Sequence, residues 1–77
     1  MKLIIQRPYG HKDAGHETYD LETSTLPQMR VAFVEAMKEP GMFALKKNLP
    51  TDVQYIVAEE FDPNAYETIV HQSVKGG

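Results

Sequence analysis

The residues with the most distinctive chemistry stand at the end of the sequence, where Lys75 is followed by Gly76 and Gly77. Because glycine has no Cβ, such an end can pass through a narrow channel and present its carboxylate for adenylation, which makes an acyl donor for a thiol or an amine. Two terminal glycines are also typical of a frayed tail or an expression remnant, and for the dipeptide alone this inert interpretation is the commoner one. Gly76 and Gly77 are therefore candidate activation residues, weighed against an inert tail.

The histidines His11, His16 and His71 are candidate metal ligands, with Asp13 and Glu17 supplying oxygen atoms beside the first two. A zinc site needs three or four ligands in tetrahedral geometry, and histidines scattered over a glycine-containing loop have no fixed spacing. The chain has no cysteine, which excludes thiolate zinc sites, disulfides and thiol nucleophiles. We therefore expect solvated histidines, no metal and no cofactor.

Glu59, Glu60 and Asp62 form a dense group of carboxylates. General acid–base catalysis needs two groups in different environments that face one substrate, whereas adjacent residues on a strand point to opposite faces. The sequence also offers no glycine-rich phosphate loop, nucleophile elbow or Ser/His/Asp arrangement. We therefore expect a solvated acidic edge, in a protein that is not an enzyme.

The elements that would position these groups begin with two strands. Residues 2–7 alternate between inward and outward side chains, and so do residues 17–23 after a loop rich in Gly, Pro and Asp. Together they predict an antiparallel hairpin with one solvated face. The residues expected to face the core are Leu3, Ile5, Tyr19 and Leu21.

One amphipathic helix follows the hairpin. Thr25 and Gln28 fit a capping box, and Pro27 lies in the first turn, where its missing N–H costs nothing. Pro40 and Gly41 end the helix, because proline biases the preceding residue away from helical dihedrals. The predicted buried stripe consists of Leu26, Met29, Ala32, Phe33, Ala36 and Met37.

The second half of the chain is less clearly patterned. Residues 42–46 predict a short strand, and residues 52–61 fit both helical and alternating spacing, although their β-branched content favours a strand. Residues 64–74 fit either a strand or a second, C-terminal helix that begins at Asp62 and Pro63. The predicted fold is therefore α+β, with a small mixed or antiparallel sheet packed on one amphipathic helix.

A hairpin, a capped helix and a terminal diglycine within 77 residues resemble the layout of ubiquitin and its relatives. The corresponding segments are residues 1–5 for the first strand, 18–22 for the second and 25–39 for the helix. This resemblance implies a β-grasp fold with the order ββαββ; beyond Gly41 it rests on length and on the diglycine. The sulfur carriers of thiamine and molybdopterin biosynthesis share that fold and ending. The resemblance thus implies either a protein modifier or a sulfur carrier, with Gly76 and Gly77 as its acyl-donating end.

Composition limits the classes of partner. With 8 Lys and Arg against 11 Asp and Glu, the net charge is −3, and the chain has no basic run suited to nucleic acid or an anionic membrane. No apolar run reaches the ~20 residues that a membrane span needs, and the start is too short for a signal peptide, so we expect a cytoplasmic protein. So small a domain leaves little room for a deep catalytic cleft, which favours action through the surface.

These observations favour a single domain, residues 1–77, that acts by binding another protein or a second copy of itself, with activation of its C-terminal glycine as an added function. The candidate partner-binding residues are Met42 and Phe43, next to the helix break, and Tyr55, in a segment expected to form an exposed part of the sheet. The alternative is a small binding or inhibitory protein, of the kind that phages and mobile elements encode, with an inert tail.

Overall fold

The computed structural model describes residues 1–7 and 15–72 of the chain. These residues form β1 (Lys2–Arg7), β2 (Gly15–Asp20), α1 (Leu26–Met37), β3 (Met42–Lys47), β4 (Ile56–Ala58) and β5 (Glu67–Gln72). The strands make one sheet in the spatial order β2-β1-β5-β3-β4, and α1 packs on one of its faces. The predicted α+β fold with a β-grasp-like layout is confirmed.

The sheet is mixed rather than purely antiparallel. Strand β1 pairs antiparallel with β2 and parallel with β5. Strand β3 pairs antiparallel with both β5 and β4. Because Lys2 is aligned with Glu67 and Gln6 with His71, strands from opposite ends of the described chain lie side by side within the sheet.

Helix α1 begins as the local sequence predicts and ends close to the predicted residue. Thr25 Oγ1 accepts a hydrogen bond from the Gln28 backbone N–H at 3.3 Å, and Gln28 Oε1 accepts one from the Thr25 backbone N–H at 2.8 Å. This capping box satisfies two backbone donors at the start of the helix. Beyond Met37, Gly41 has a φ of 77°, a left-handed conformation that glycine adopts without steric cost, and the chain turns there into β3.

The core lies between α1 and the sheet. The predicted helix stripe is confirmed: Met29, Phe33 and Ala36 are buried, and Leu26, Ala32 and Met37 pack against them. The sheet contributes Leu3, Ile5, Ala44, Ala58 and Val70. The segment after β4 adds Phe61, whose ring centroid lies 5.8 Å from that of Phe33. This contact anchors the segment between β4 and β5, residues 59–66, beneath the helix.

The second strand ends earlier than predicted, at Asp20. Asp20 Oδ1 accepts hydrogen bonds from the backbone N–H groups of Glu22 and Thr23 at 2.9 and 3.0 Å, which folds the following residues into a turn. The expectation that Leu21 faces the core is therefore wrong, and its side chain is 56% exposed. Tyr19, the other hairpin residue of β2 expected to face inward, does pack against the core.

The second half of the chain forms strands. Within residues 52–61 only β4 is a strand, so the strand that the sequence favoured is shorter than predicted. Residues 67–72 form β5, so the alternative of a C-terminal helix is wrong for them. Asp62 starts a turn instead of a helix, because its carboxylate accepts the Asn64 backbone N–H at 2.9 Å and its carbonyl accepts the Ala65 N–H at 3.2 Å.

Thr68 of β5 is a polar residue within this core. It is 1% exposed, and its hydroxyl has no hydrogen-bond partner among the described residues. A buried hydroxyl without a hydrogen-bond partner loses its hydration with no compensating bond, which lowers the free energy of unfolding. We predict that Thr68→Val, which replaces the hydroxyl by a methyl group, raises the free energy of unfolding by about 1 kcal/mol in urea titrations. Thr68→Ser, which keeps the hydroxyl, should lower it, and a less stable Thr68→Val protein would contradict the prediction.

Lys46 and Asp62 fix the segment between β4 and β5 by an ion pair with a separation of 2.7 Å. The hydrogen bond from Lys46, with that from the Asn64 backbone, lowers the pKa of the Asp62 carboxyl below its ordinary value. A lowered folded-state pKa stabilises the fold above the unfolded-state pKa of about 3.9, and this stabilisation disappears as the pH falls through the folded-state value.

We therefore predict that Asp62→Asn lowers the free energy of unfolding by at most about 1 kcal/mol at neutral pH, because the pair is partly exposed. The difference from the parent chain should shrink below about pH 4. Urea titrations between neutral and acidic pH measure it. In a Lys46→Met background the effect should be smaller, whereas a difference independent of pH would contradict the assignment.

Candidate functional site

The face of the sheet turned away from α1 is the most distinctive surface of this protein. Side chains alternate along each strand, so the neighbours of buried residues such as Leu3 and Val70 point away from the helix. Within residues 1–7 and 15–72, α1 lies on the other side and no further helix or strand layer covers this one. We call it the open face.

Four apolar residues form a continuous row across the open face. Ile4 of β1 is aligned with Ile69 of β5, Ile69 with Leu45 of β3, and Leu45 with Val57 of β4. With strands about 4.8 Å apart, this apolar row is roughly 14 Å long. Its first three residues are half-buried, and Val57 at the edge is 68% exposed. Solvated sheet faces usually carry polar side chains, so an apolar row that none of the described elements covers indicates a contact surface.

One border of the apolar row is aromatic. Phe43 and His71 are aligned in the pairing of β3 with β5, and their ring centroids lie 4.1 Å apart at an interplanar angle of 54°. Gln6 of β1 is the next residue along, aligned with His71. The Phe43 ring extends the apolar surface by one further row, and the imidazole and amide groups beside it supply donors and acceptors.

The opposite border is charged. Glu67 is aligned with Lys2 on one side and with Lys47 on the other. The Tyr55 hydroxyl donates a hydrogen bond to the Glu67 carboxylate, and Lys47 Nζ lies 5.4 and 5.6 Å from the ring centroids of Tyr55 and Tyr66. The bond to Glu67, then burial and the Glu67 charge, raise the pKa of the Tyr55 phenol above its ordinary value. An apolar centre with a polar rim is the usual anatomy of a protein interface.

The structure separates the predicted partner-binding residues. Phe43 and Tyr55 lie on opposite borders of the apolar row. Met42 instead points towards the helix, where it packs against the core. Gly76 and Gly77 lie outside the described residues, so their candidate role as an acyl-donating end stays a prediction.

The structure does not bring the candidate metal ligands together where it describes them. His16 is exposed on β2 and the His71 ring is tilted against that of Phe43, whereas His11 lies outside the described residues. The described residues contain no group of three or more metal-ligating side chains, and no helix among them is long and apolar enough to cross a bilayer. Glu59 and Glu60 are exposed just after β4.

Sequence reasoning missed the apolar row. Ile4 and Leu45 were predicted only as members of strands, and Val57 and Ile69 only as members of segments that fit both a helix and a strand. The row exists because the registers of three strand pairs bring these residues together, and no spacing along the chain encodes those registers. The available signal was the unbroken apolar run Leu3-Ile4-Ile5 in β1. In a strand with one solvated face, apolar and polar residues would alternate at these positions.

Comparisons of the chain with protein-family models, curated proteins and solved structures found no match. The family resemblance drawn from the sequence therefore stays a prediction.

Proposed function

We propose that this protein is a non-enzymatic binding module that recognises another protein, in the cytoplasm, through the apolar row of its open face. The observation that supports the proposal is the alignment of Ile4, Ile69, Leu45 and Val57 across four strands on a face that no described element covers. A partner that covers the row removes apolar surface from water, which is the main driving force of protein association.

The energetic scale fits a specific but moderate interaction. Full burial of an aliphatic side chain contributes about 1.5–3 kcal/mol relative to full exposure, and the half-buried members of the row would contribute a fraction of that. The charged border around Lys47 and Glu67 would add specificity and orientation more than affinity. Ile69 and Leu45 lie inside the row, each between two other members, and are therefore the residues expected to contribute most.

Binding by the open face is compatible with either proposal for the diglycine. A modifier or sulfur carrier would use the row to hold its activating enzyme while Gly77 reacts, and a binding protein with an inert tail would use the row alone. The two proposals differ in whether the chain forms a covalent adduct through its C-terminal carboxylate, which removal of Gly76 and Gly77 would abolish. The row itself should bind in both cases.

We predict that a photo-crosslinking amino acid at Val57 captures a partner protein in cells of the native host. The matched control is the same amino acid at Val31, a valine of similar exposure on α1, at 62% against 68%. Mass spectrometry of the adducts should show a partner linked from Val57 and absent from Val31. Equal yields from both positions would contradict a specific open face.

Adding Leu45→Lys should lower the adduct yield from Val57 roughly tenfold or more, because a charge replaces an aliphatic contact. Cross-strand pairs on a sheet contribute about 0.2–1 kcal/mol each, so circular dichroism melts must confirm that this variant folds. Ile69→Ser is a second, uncharged test of the same row. Removal of Gly76 and Gly77 should leave the yield of the photo-adduct from Val57 unchanged. An unchanged yield from the Leu45→Lys variant would refute the proposed function.

A further inference from the structure

The two edges of the sheet differ in character. One edge strand is β2, most of whose side chains are polar or charged, among them His16, Glu17 and Asp20. The other edge is β4, whose Ile56 and Val57 are 52% and 68% exposed. Proteins commonly protect an edge with charged side chains, because its main-chain N–H and C=O groups can pair with another chain. Strand β4 has no charged side chain of its own and pairs, among the described strands, with β3 alone.

The segment after β4 makes two grooves beside this edge. One groove, of about 470 Å³, lies between β4 and residues 59–63 and reaches Lys46. The other, of about 450 Å³, lies between residues 59–61 and the helix residues Val34 and Met37. Phe61 holds the segment in place by packing against Phe33. Concave surface therefore lies beside the side of β4 that pairs with no described strand.

Glu59 and Glu60 line both grooves, and their side chains are exposed. Within the described chain neither carboxylate forms an ion pair. The neighbouring cations have other partners: Lys46 pairs with Asp62 at 2.7 Å, Lys38 with Glu35 at 3.4 Å, and the Arg30 guanidinium lies 5.2 Å from the ring centroid of Phe61. The apolar edge is thus followed directly by two negative charges that have no counterion from this part of the protein.

We infer that the β4 edge binds an extended, basic segment of a partner protein, in which apolar residues alternate with Lys or Arg, as a sixth strand of the sheet. The main chain of that segment would pair with β4, its apolar side chains would pack beside Val57 on the open face, and its alternate, basic side chains would point to the helix side of the sheet. Its basic side chains would then lie near Glu59 and Glu60, as charge complementarity requires. A second copy of this chain fits less well, because it carries the same two carboxylates and a net charge of −3.

The test is a selection from a library of random heptapeptides on the immobilised full chain. The selected peptides should alternate apolar and basic residues. The charge-reversed variant Glu59→Lys/Glu60→Lys should bind the same synthetic peptides about tenfold more weakly, since two favourable charge pairs are replaced by repulsion. Thr18→Lys/Leu21→Lys/Glu22→Lys, which changes the net charge equally at exposed positions on or just after β2, at the opposite edge of the sheet, is the matched control and should bind them as the parent chain does.

Amide chemical shifts should locate the selected peptide at residues 56–60. Ile69→Ser, which is uncharged and lies on β5, two strands away from β4, should leave peptide binding unchanged, so this inference and the proposed function of the open face can fail separately. Each of four results would overturn the inference. Two concern the selection: enrichment of acidic peptides, or no enriched peptide at all. The other two are chemical-shift changes confined to Ile4 and Ile69, and equal weakening of peptide binding by Glu59→Lys/Glu60→Lys and by its charge-matched control. Self-association of the chain that Glu59→Lys/Glu60→Lys abolishes would overturn it too, because the occupant would then be a second copy.

Discussion

Parallel pairing of β1 with β5 is the contact on which the remaining structure depends. It aligns Leu3 with Thr68 and Ile5 with Val70 on the core side, and Ile4 with Ile69 on the open face. Without it β5 would pair with β3 alone, and the core and the apolar row would both be divided. The pairing joins residues far apart in sequence, so the chain loses the conformational entropy of closing a long loop before the contacts between β1 and β5 compensate for that loss. The proposed binding surface therefore exists only in the completely folded chain.

Two further features hold the helix and the segment after it against the paired strands. They are small side chains between α1 and β3, and the contacts of Arg7. Ala36 of the helix and Ala44 of the sheet are fully buried, so α1 can lie close to β3. At the end of β1, Arg7 donates to both carboxylate oxygens of Glu39, with its Nη2 at 2.8 Å and its Nε at 3.3 Å, and also bonds Glu17 of β2. A bidentate guanidinium contact is directional and strong for an ion pair, so it fixes the segment after the helix against the first two strands.

Elements whose limits are encoded locally could be predicted from the sequence. The capping box at Thr25 and the stop at Pro40 and Gly41 define α1 by short-range sterics and hydrogen bonds, and β1 follows from alternation. Strand β5 could not be separated from a helix, because Ile69 and Val70 fit both periods and only pairing on both sides decides between them. Leu21 was wrongly predicted to be buried, because the hydrogen bonds of Asp20 override the alternation. The apolar row was not predictable, since its members meet only through strand register.

The open face and the β4 edge meet at Val57, the last residue of the apolar row and the middle residue of the edge strand. A strand added beside β4 would lie about 4.8 Å beyond Val57, so its own side chains on that face would lengthen the row. It would also remove the most exposed member of the row from water, since Val57 is 68% exposed. Occupation of the edge would thus enlarge and order the surface proposed to bind a second protein. Within residues 1–7 and 15–72 one helix covers the sheet, which leaves one face and one apolar edge available, and the shared residue Val57 joins them physically.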